Sequence, residues 1–308
     1  MRILVTGITG AIGSRLAPRL LDAGHELRAL SRRSDGQALL ALPAGIGLHT
    51  GDAVSGIGLA EALDGVEVAY YLIHSMEPGG EEHFRVRERR GAENFAEAAA
   101  AAGVRRIVYL GGLVPQDGPS PHLSSRLGVE RILLEAVPDS VALRASIVIG
   151  ARSRSFRFLV RLVERMPVMV IPAWGAHRTA PVDERDVLSC LVRAASDADA
   201  GGRSLDVAGP EVVTYQELIE RIRDHLLLGR PSVRLPRLSL TPIASRVSAV
   251  IAGEEHALIG PLMAGLNTDL LPGPELALSL LGVRPHRLDA AIERALRDWE
   301  VVEPLRGR

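Results

Sequence analysis

The chain has 308 residues, 47% of them hydrophobic and 24% charged, which is enough apolar surface for a large core in one elaborated domain or two. Its 36 basic and 37 acidic side chains leave a net charge of −1, and the arginines are dispersed among acids, so no basic field for nucleic acid is expected. All the basic residues are arginine: without lysine, a Walker-type phosphate loop, a Schiff base and a lysine general base are excluded.

Arg2 to Thr6 reads as a short buried strand, and Gly7, Gly10 and Gly13 follow it at GxxGxxG spacing before Ile12, Leu16, Leu20 and Leu21 take up a helical period. In such a turn the first glycine permits the tight reversal. The second lets backbone approach a pyrophosphate, and the third lets the helix pack close to the sheet. Free N–H groups and the helix dipole then meet phosphate, so Gly7, Thr9, Gly10, Ala11, Ile12 and Gly13 are assigned to a dinucleotide cofactor. Pro18 falls inside the predicted helix and implies a kink or an offset start.

Glu26 to Ser31 is the second strand, and it ends on Arg32 and Arg33, where an NAD-selective fold carries an acid for the ribose hydroxyls. Guanidiniums there pair with a 2′-phosphate, which favours NADP(H) over NAD(H), with Asp35 keeping NAD(H) as the less favoured cofactor. Ile46 to Thr50 is a third strand, closing on Gly51, Asp52 and Ala53, and Gly56 to Leu63 a short helix. Val66 to Ile73 is a continuous apolar run, as expected for a central parallel strand. Its end, Leu72, Ile73, His74 and Ser75, is expected to face the cofactor, because ligands of open α/β sheets bind at the carboxyl ends of strands.

Glu81 to Ala102 is a strong helix ended by Gly103, and its Asn94 is expected to support the strand end before it. Val104 to Leu110 is the fifth strand, followed by Gly111 and Gly112, a helix from Pro121 to Ala136, and a sixth strand from Val141 to Ile149. This alternation predicts an α/β fold, a doubly wound parallel Rossmann-type sheet over residues 1–150. Residues 151–308 are expected to form a smaller, mainly helical substrate lobe over the sheet's carboxyl edge, with Phe156, Trp174 and His177 near a small-molecule substrate. Within it, Val168 to Ile171 and Leu205 to Gly209 read as short strands and 183–195 as a helix. Thr214 reads as an N-cap with Glu217 three residues on, and a last helix runs from about His286 to Trp299.

Cys190 lies in an apolar helical run and reads as a buried, inert thiol. The apolar stretch Ala257 to Thr268 is too short to span a bilayer and reads as a buried lid. The first strand begins without a charged leader or cleavable apolar segment, which predicts a cytoplasmic protein. No metal site is expected.

TGITGAIG resembles the TGxxGxxG turn of the short-chain dehydrogenase/reductase superfamily. The series YYLIHSM, VYLGG, LRASIVIG and AGPEVVTYQEL is similar to its atypical, NmrA-like NAD(P)H-binding members over nearly the whole chain. The resemblance implies a role for Asp52 against the adenine amino group. It also implies that a tyrosine and a lysine four residues later should follow the fifth strand, the lysine lowering the phenol pKa and holding the nicotinamide ribose. Here the aligned helix start PHLSSRLGVE puts His122 in place of the tyrosine and Arg126 in place of the lysine, and the usual serine is Gly111 or Gly112. Arg126 is then expected to hold the ribose, with His122 or His74 as proton donor.

Three activities fit these expectations: an NADPH-dependent reductase of a small, mostly apolar carbonyl or activated alkene, a cofactor sensor without turnover, and an epimerase or cyclase on the same fold. The reductase is favoured, because so long and apolar a C-terminal half exceeds what a sensor requires.

Overall fold

The structure, a computed structural model, describes residues 1–32, 43–73, 81–115, 118, 120–166, 168–235 and 266–305. Arg33, Asp35, His74, Ser75 and most of the 257–268 stretch therefore lie outside the described residues, as does the His122 side chain.

The strands β1 (Arg2–Thr6), β2 (Glu26–Ser31), β3 (Gly47–Thr50), β4 (Val68–Tyr71), β5 (Arg106–Gly112) and β6 (Val141–Ala145) lie where the apolar runs predict them. After the short β7 (Val148–Ile149), β8 (Met169–Pro172), β9 (Arg178–Thr179) and β10 (Val182–Asp183), the chain returns to the main sheet as β11 (Arg203–Val207). The seven strands run in the order β3-β2-β1-β4-β5-β6-β11, all paired in parallel. Chain order reverses between β1 and β4, and a crevice opens at such a switch point.

Alternation along β1 decides what each face buries. Ile3 and Val5 point into a core shared with α1 (Gly13–Asp22), α6 (Glu184–Ala194) and α8 (Ala277–Leu280). Leu4 points into the opposite core, shared with α2 (Leu59–Leu63), α3 (Glu81–Ala101) and α4 (Pro121–Ala136). Each fully buried leucine or phenylalanine in these layers contributes about 1.5–3 kcal/mol. A third core is built from α5 (Arg154–Arg165), α7 (Tyr215–His225) and α9 (Leu288–Glu300), with Trp174 and Tyr215 edge to face between them.

Four local expectations change. The helix α1 starts at Gly13 and continues through Pro18, so its start is not offset. The predicted strand from Val141 to Ile149 divides at Ser146, whose N–H bonds Val207 and whose Oγ lies 3.2 Å from Thr179 Oγ1, and the continuation β7 pairs with β10 instead. Leu205 to Val207, read as part of the lobe, belongs to the seventh strand of the sheet. The lobe core is accordingly discontinuous, because β11, α6 and α8 pack back on the sheet. Thr214 and Glu217 form the expected capping box on α7.

Among the described residues, no helix is long and apolar enough to cross a membrane. Cys190 is buried, which pushes its thiol pKa up to about 12.

Candidate functional site

The turn after β1 is fixed by contacts that only glycine allows. Gly7 has φ +64°, and a Cβ there would lie 2.6 Å from Leu72 O at the end of β4. A Cβ on Gly13 would lie 2.3 Å from Gly7 O, so the helix start rests directly on the turn, which Gly10 N closes by bonding Gly7 O at 2.9 Å. Beneath it Thr6 Oγ1 donates to Tyr70 O at 2.9 Å and accepts from Leu72 N at 3.0 Å, holding the ends of β1 and β4 together. The first turn of α1 has no side-chain cap and no acid, while Thr9 and Gly10 are exposed and Ala11 and Ile12 partly so. A positive helix end with no side-chain cap and no acid suits a phosphate. This cradle fits a dinucleotide.

At the end of β2, Ser31 O accepts from Gly51 N at 2.9 Å, and the exposed Arg32 follows. Asp52 accepts from Val54 N at 3.1 Å, and Ala53 beside it is buried. Asn94 braces this loop, donating to Ala53 O and Val54 O at 3.0 and 2.9 Å, rather than the end of β4 as its sequence position suggests. The structure therefore brings Arg32, Asp52 and Ala53 to the same edge as the glycine turn and the buried Leu72, with Ile73 next to it.

On the far side of β4, a Cβ on Gly111 would meet the Tyr109 ring at 3.0 Å, and one on Gly112 would meet Leu123 Cδ2 at 3.3 Å. The start of α4 thus sits on the end of β5 with little space for the family's serine. The backbone of His122 is in the first turn of α4, and the partly buried Arg126 lies one turn on, its carbonyl accepting from Tyr109 Oη at 3.4 Å. All four tyrosines are buried, and burial raises every phenol pKa, that of Tyr215 to about 12. None of them is placed as a proton donor of ordinary acidity.

Three contacts that the sequence did not announce, made by two arginines, join the lobe to the turn and the helix after it. Arg152 Nη1 donates to Ser14 Oγ at 2.9 Å, and Arg15 is held by Glu184 at 3.1 Å and Asp298 at 2.9 Å. Burial raises the Glu184 pKa, opposed by Arg15, and among the described residues its Oε1 has no hydrogen-bond partner. The acid-free run ARSRSFR was the only signal for Arg152. Phe156 and Trp174 are buried in the lobe's own core, whereas His177 is part-exposed, 3.7 Å from Asp269.

A family model described as NAD(P)H-binding matches residues 7–135. The (4-alkanoyl-5-oxo-2,5-dihydrofuran-3-yl)methyl phosphate reductase of Streptomyces griseus is 31% identical over 235 residues, 74% of either chain. A ceramide reductase of Caulobacter vibrioides is 25% identical over 252 residues, 80% of this chain and 77% of that one. The crystal structure of gox2253 superimposes with a TM-score of 0.77 at 21% identity, covering 99% of each chain, a likeness of fold. The chain belongs to the atypical, NAD(P)H-binding branch of the short-chain dehydrogenase/reductase superfamily.

Proposed function

We propose that the protein is an NADPH-dependent reductase of a small, mostly apolar carbonyl or activated alkene. The observation that carries this reading is the uncapped, acid-free start of α1 resting on Gly7, which suits a dinucleotide, in a chain 31% identical to a reductase whose named substrate is an oxo-dihydrofuran. Bound NADPH would supply hydride. The turn from Gly7 to Gly13 would hold the pyrophosphate, Arg32 and Arg33 the 2′-phosphate, Asp52 and Ala53 the adenine side, and Arg126 the nicotinamide ribose. Leu72, Ile73, His74 and Gly111 would line the cofactor along the strand ends, and His122 or His74 would face the reacting atoms. The lobe after Gly150 would cover the substrate.

Arginine positions a ribose through charged hydrogen bonds but does not exchange protons as lysine does, so proton transfer needs another group. A second reading, an NADP(H)-binding protein without turnover, is favoured by one observation: no lysine exists and every tyrosine is buried. Calorimetric titration with NADPH and NADH, followed by NADPH oxidation with alkanoyl butenolides and simple enones, separates the two. Binding with oxidation supports the reductase; binding with no oxidation across that set supports the second reading.

A further inference from the structure

Glu88 on α3 is 5% exposed, and Ser125 Oγ on α4 donates to its Oε2 at 2.8 Å. A buried carboxyl is costly unless it is paired or neutral, and a mere tie between two helices requires no acid. Desolvation raises its pKa, with the Ser125 hydrogen bond and the Arg126 charge acting in the opposite sense. Among the described residues, the buried phenols Tyr71 from β4 and Tyr109 from β5 also feel its charge.

Position gives this acid its meaning. One turn further along α3, a Cβ on Gly91 would lie 3.2 Å from Tyr71 Oη and 3.8 Å from Ala53 Cβ, beside the last residue of β4 and the loop after β3. Glu88 sits one turn nearer the start of α3, toward the carboxyl edge where β4 ends. Its partner Ser125 follows His122 by three residues, so the two positions are neighbours along α4.

We propose that Glu88 is the proton store of the site, delivering through Ser125 Oγ to the reduced substrate. The proposal rests on the reductase reading. Two electrons reach the electrophilic carbon as hydride and form its new C–H bond, displacing the π pair onto the conjugated oxygen. The Ser125 O–H breaks as the product O–H forms, and the Glu88 O–H breaks as that of Ser125 is remade. The Glu88 carboxylate then takes a proton from water, so nothing else is oxidised or reduced. Glu88 touches no reactant; it acts through Ser125.

Glu88→Gln keeps the contact to Ser125 but cannot release a proton, Glu88→Asp keeps the acid, and Ser125→Ala removes the relay while leaving Glu88. With NADPH and an alkanoyl butenolide, Glu88→Gln and Ser125→Ala should each lower kcat about 100-fold, within the usual range for general acid catalysis. The wild-type kcat should fall as pH rises through the Glu88 pKa, that dependence should vanish in Glu88→Gln, and Glu88→Asp should restore part of it. A protonated-carboxyl infrared band, absent in Glu88→Gln, should titrate with the same midpoint. Full turnover and an unchanged pH profile in Glu88→Gln overturn the proposal. A wild-type protein that binds NADPH but reduces no substrate overturns it together with the reductase reading, and one that binds no NADPH overturns the cofactor assignment itself.

Discussion

Arg152 Nη1 donates to Ser14 Oγ at 2.9 Å, which parks an exposed guanidinium over the first turn of α1. That helix end is positive and carries no acid, so a cation gains nothing from it unless an anion lies between them. Neighbouring Arg15 is already engaged by Glu184 and Asp298, whereas the described residues place no carboxylate on Arg152. On the proposed function, Arg152 would lie against the cofactor pyrophosphate.

Arg152→Gln should weaken NADPH binding by about 1.5–3 kcal/mol, the range for hydrogen bonds to charged groups, and flatten its salt dependence. Calorimetry at two ionic strengths checks it. Unchanged affinity would assign Arg152 to solvent.

Gly13→Ala should remove cofactor binding and lower stability by about 1–3 kcal/mol, because the added methyl would lie 2.3 Å from the Gly7 carbonyl oxygen and neither backbone can retreat without opening the turn. Thermal unfolding and NADPH titration read the two effects separately. Gly24→Ala is the control for a glycine with positive φ but no neighbour within 4 Å, and it should retain binding.

The glycine turn was legible because its demands are local: a positive φ at Gly7 and a backbone contact at Gly13 leave no other residue type. The strands β1 and β2 and the Thr214–Glu217 cap were legible for the same reason. The place of β11 was not, since Arg203–Val207 is a short run whose partner lies some sixty residues earlier in β6, and pairing at that range leaves no mark on the strand itself. The division at Ser146 was hidden because the run from Val141 to Ile149 holds no glycine or proline to break it. Arg152 and Glu88 were hidden differently. Each sits in a charged stretch that has the composition of a solvated face, and only packing distinguishes them from their neighbours.

Arg32 at the end of β2, with Arg33 after it, should make NADPH bind more tightly than NADH. Replacing both by alanine should cost NADPH about 1.5–3 kcal/mol and leave NADH nearly unchanged. Equal wild-type affinities for the two cofactors would sink this assignment.

Stability in acid should depend on Asp139. Arg106, only 1% exposed, bonds both Asp139 carboxylate oxygens at 2.8 and 3.0 Å and the carbonyls of Ala194 and Asp197 at 2.7 and 2.6 Å, fastening β5 to the end of α6. The hydrogen bond from Arg106 holds the Asp139 pKa below its ordinary value of 3.8. A depressed folded-state pKa gives stabilisation that is present above the unfolded value and lost as pH falls through the folded one. Asp139→Asn should therefore lower Tm at neutral pH, and the two proteins should converge below the ordinary aspartate range. Arg106→Leu should be worse, by about 2–4 kcal/mol at neutral pH, because buried carbonyls lose their donor.

The vacated tyrosine and lysine positions give the last test. His122 and Arg126 lie four residues apart on α4, so their Cβ atoms share the face that in the family serves the nicotinamide ribose. A guanidinium there stays charged and can hydrogen-bond ribose hydroxyls, which on the proposed function would give Arg126 a binding role. Histidine titrates near neutrality, and a neighbouring cation lowers its pKa unless a carboxylate compensates. Arg126→Ala should weaken NADPH by about 1.5–3 kcal/mol. His122→Phe should leave binding intact and lower kcat about tenfold or more if the imidazole orients or protonates the product. Full turnover in His122→Phe, alongside the loss expected of Glu88→Gln, would take His122 out of the proton path and leave Ser125 as the last donor. Full turnover in both would move the proton source to His74 or to water, and NADPH oxidation measured in the double variant His122→Phe/Glu88→Gln decides between these outcomes.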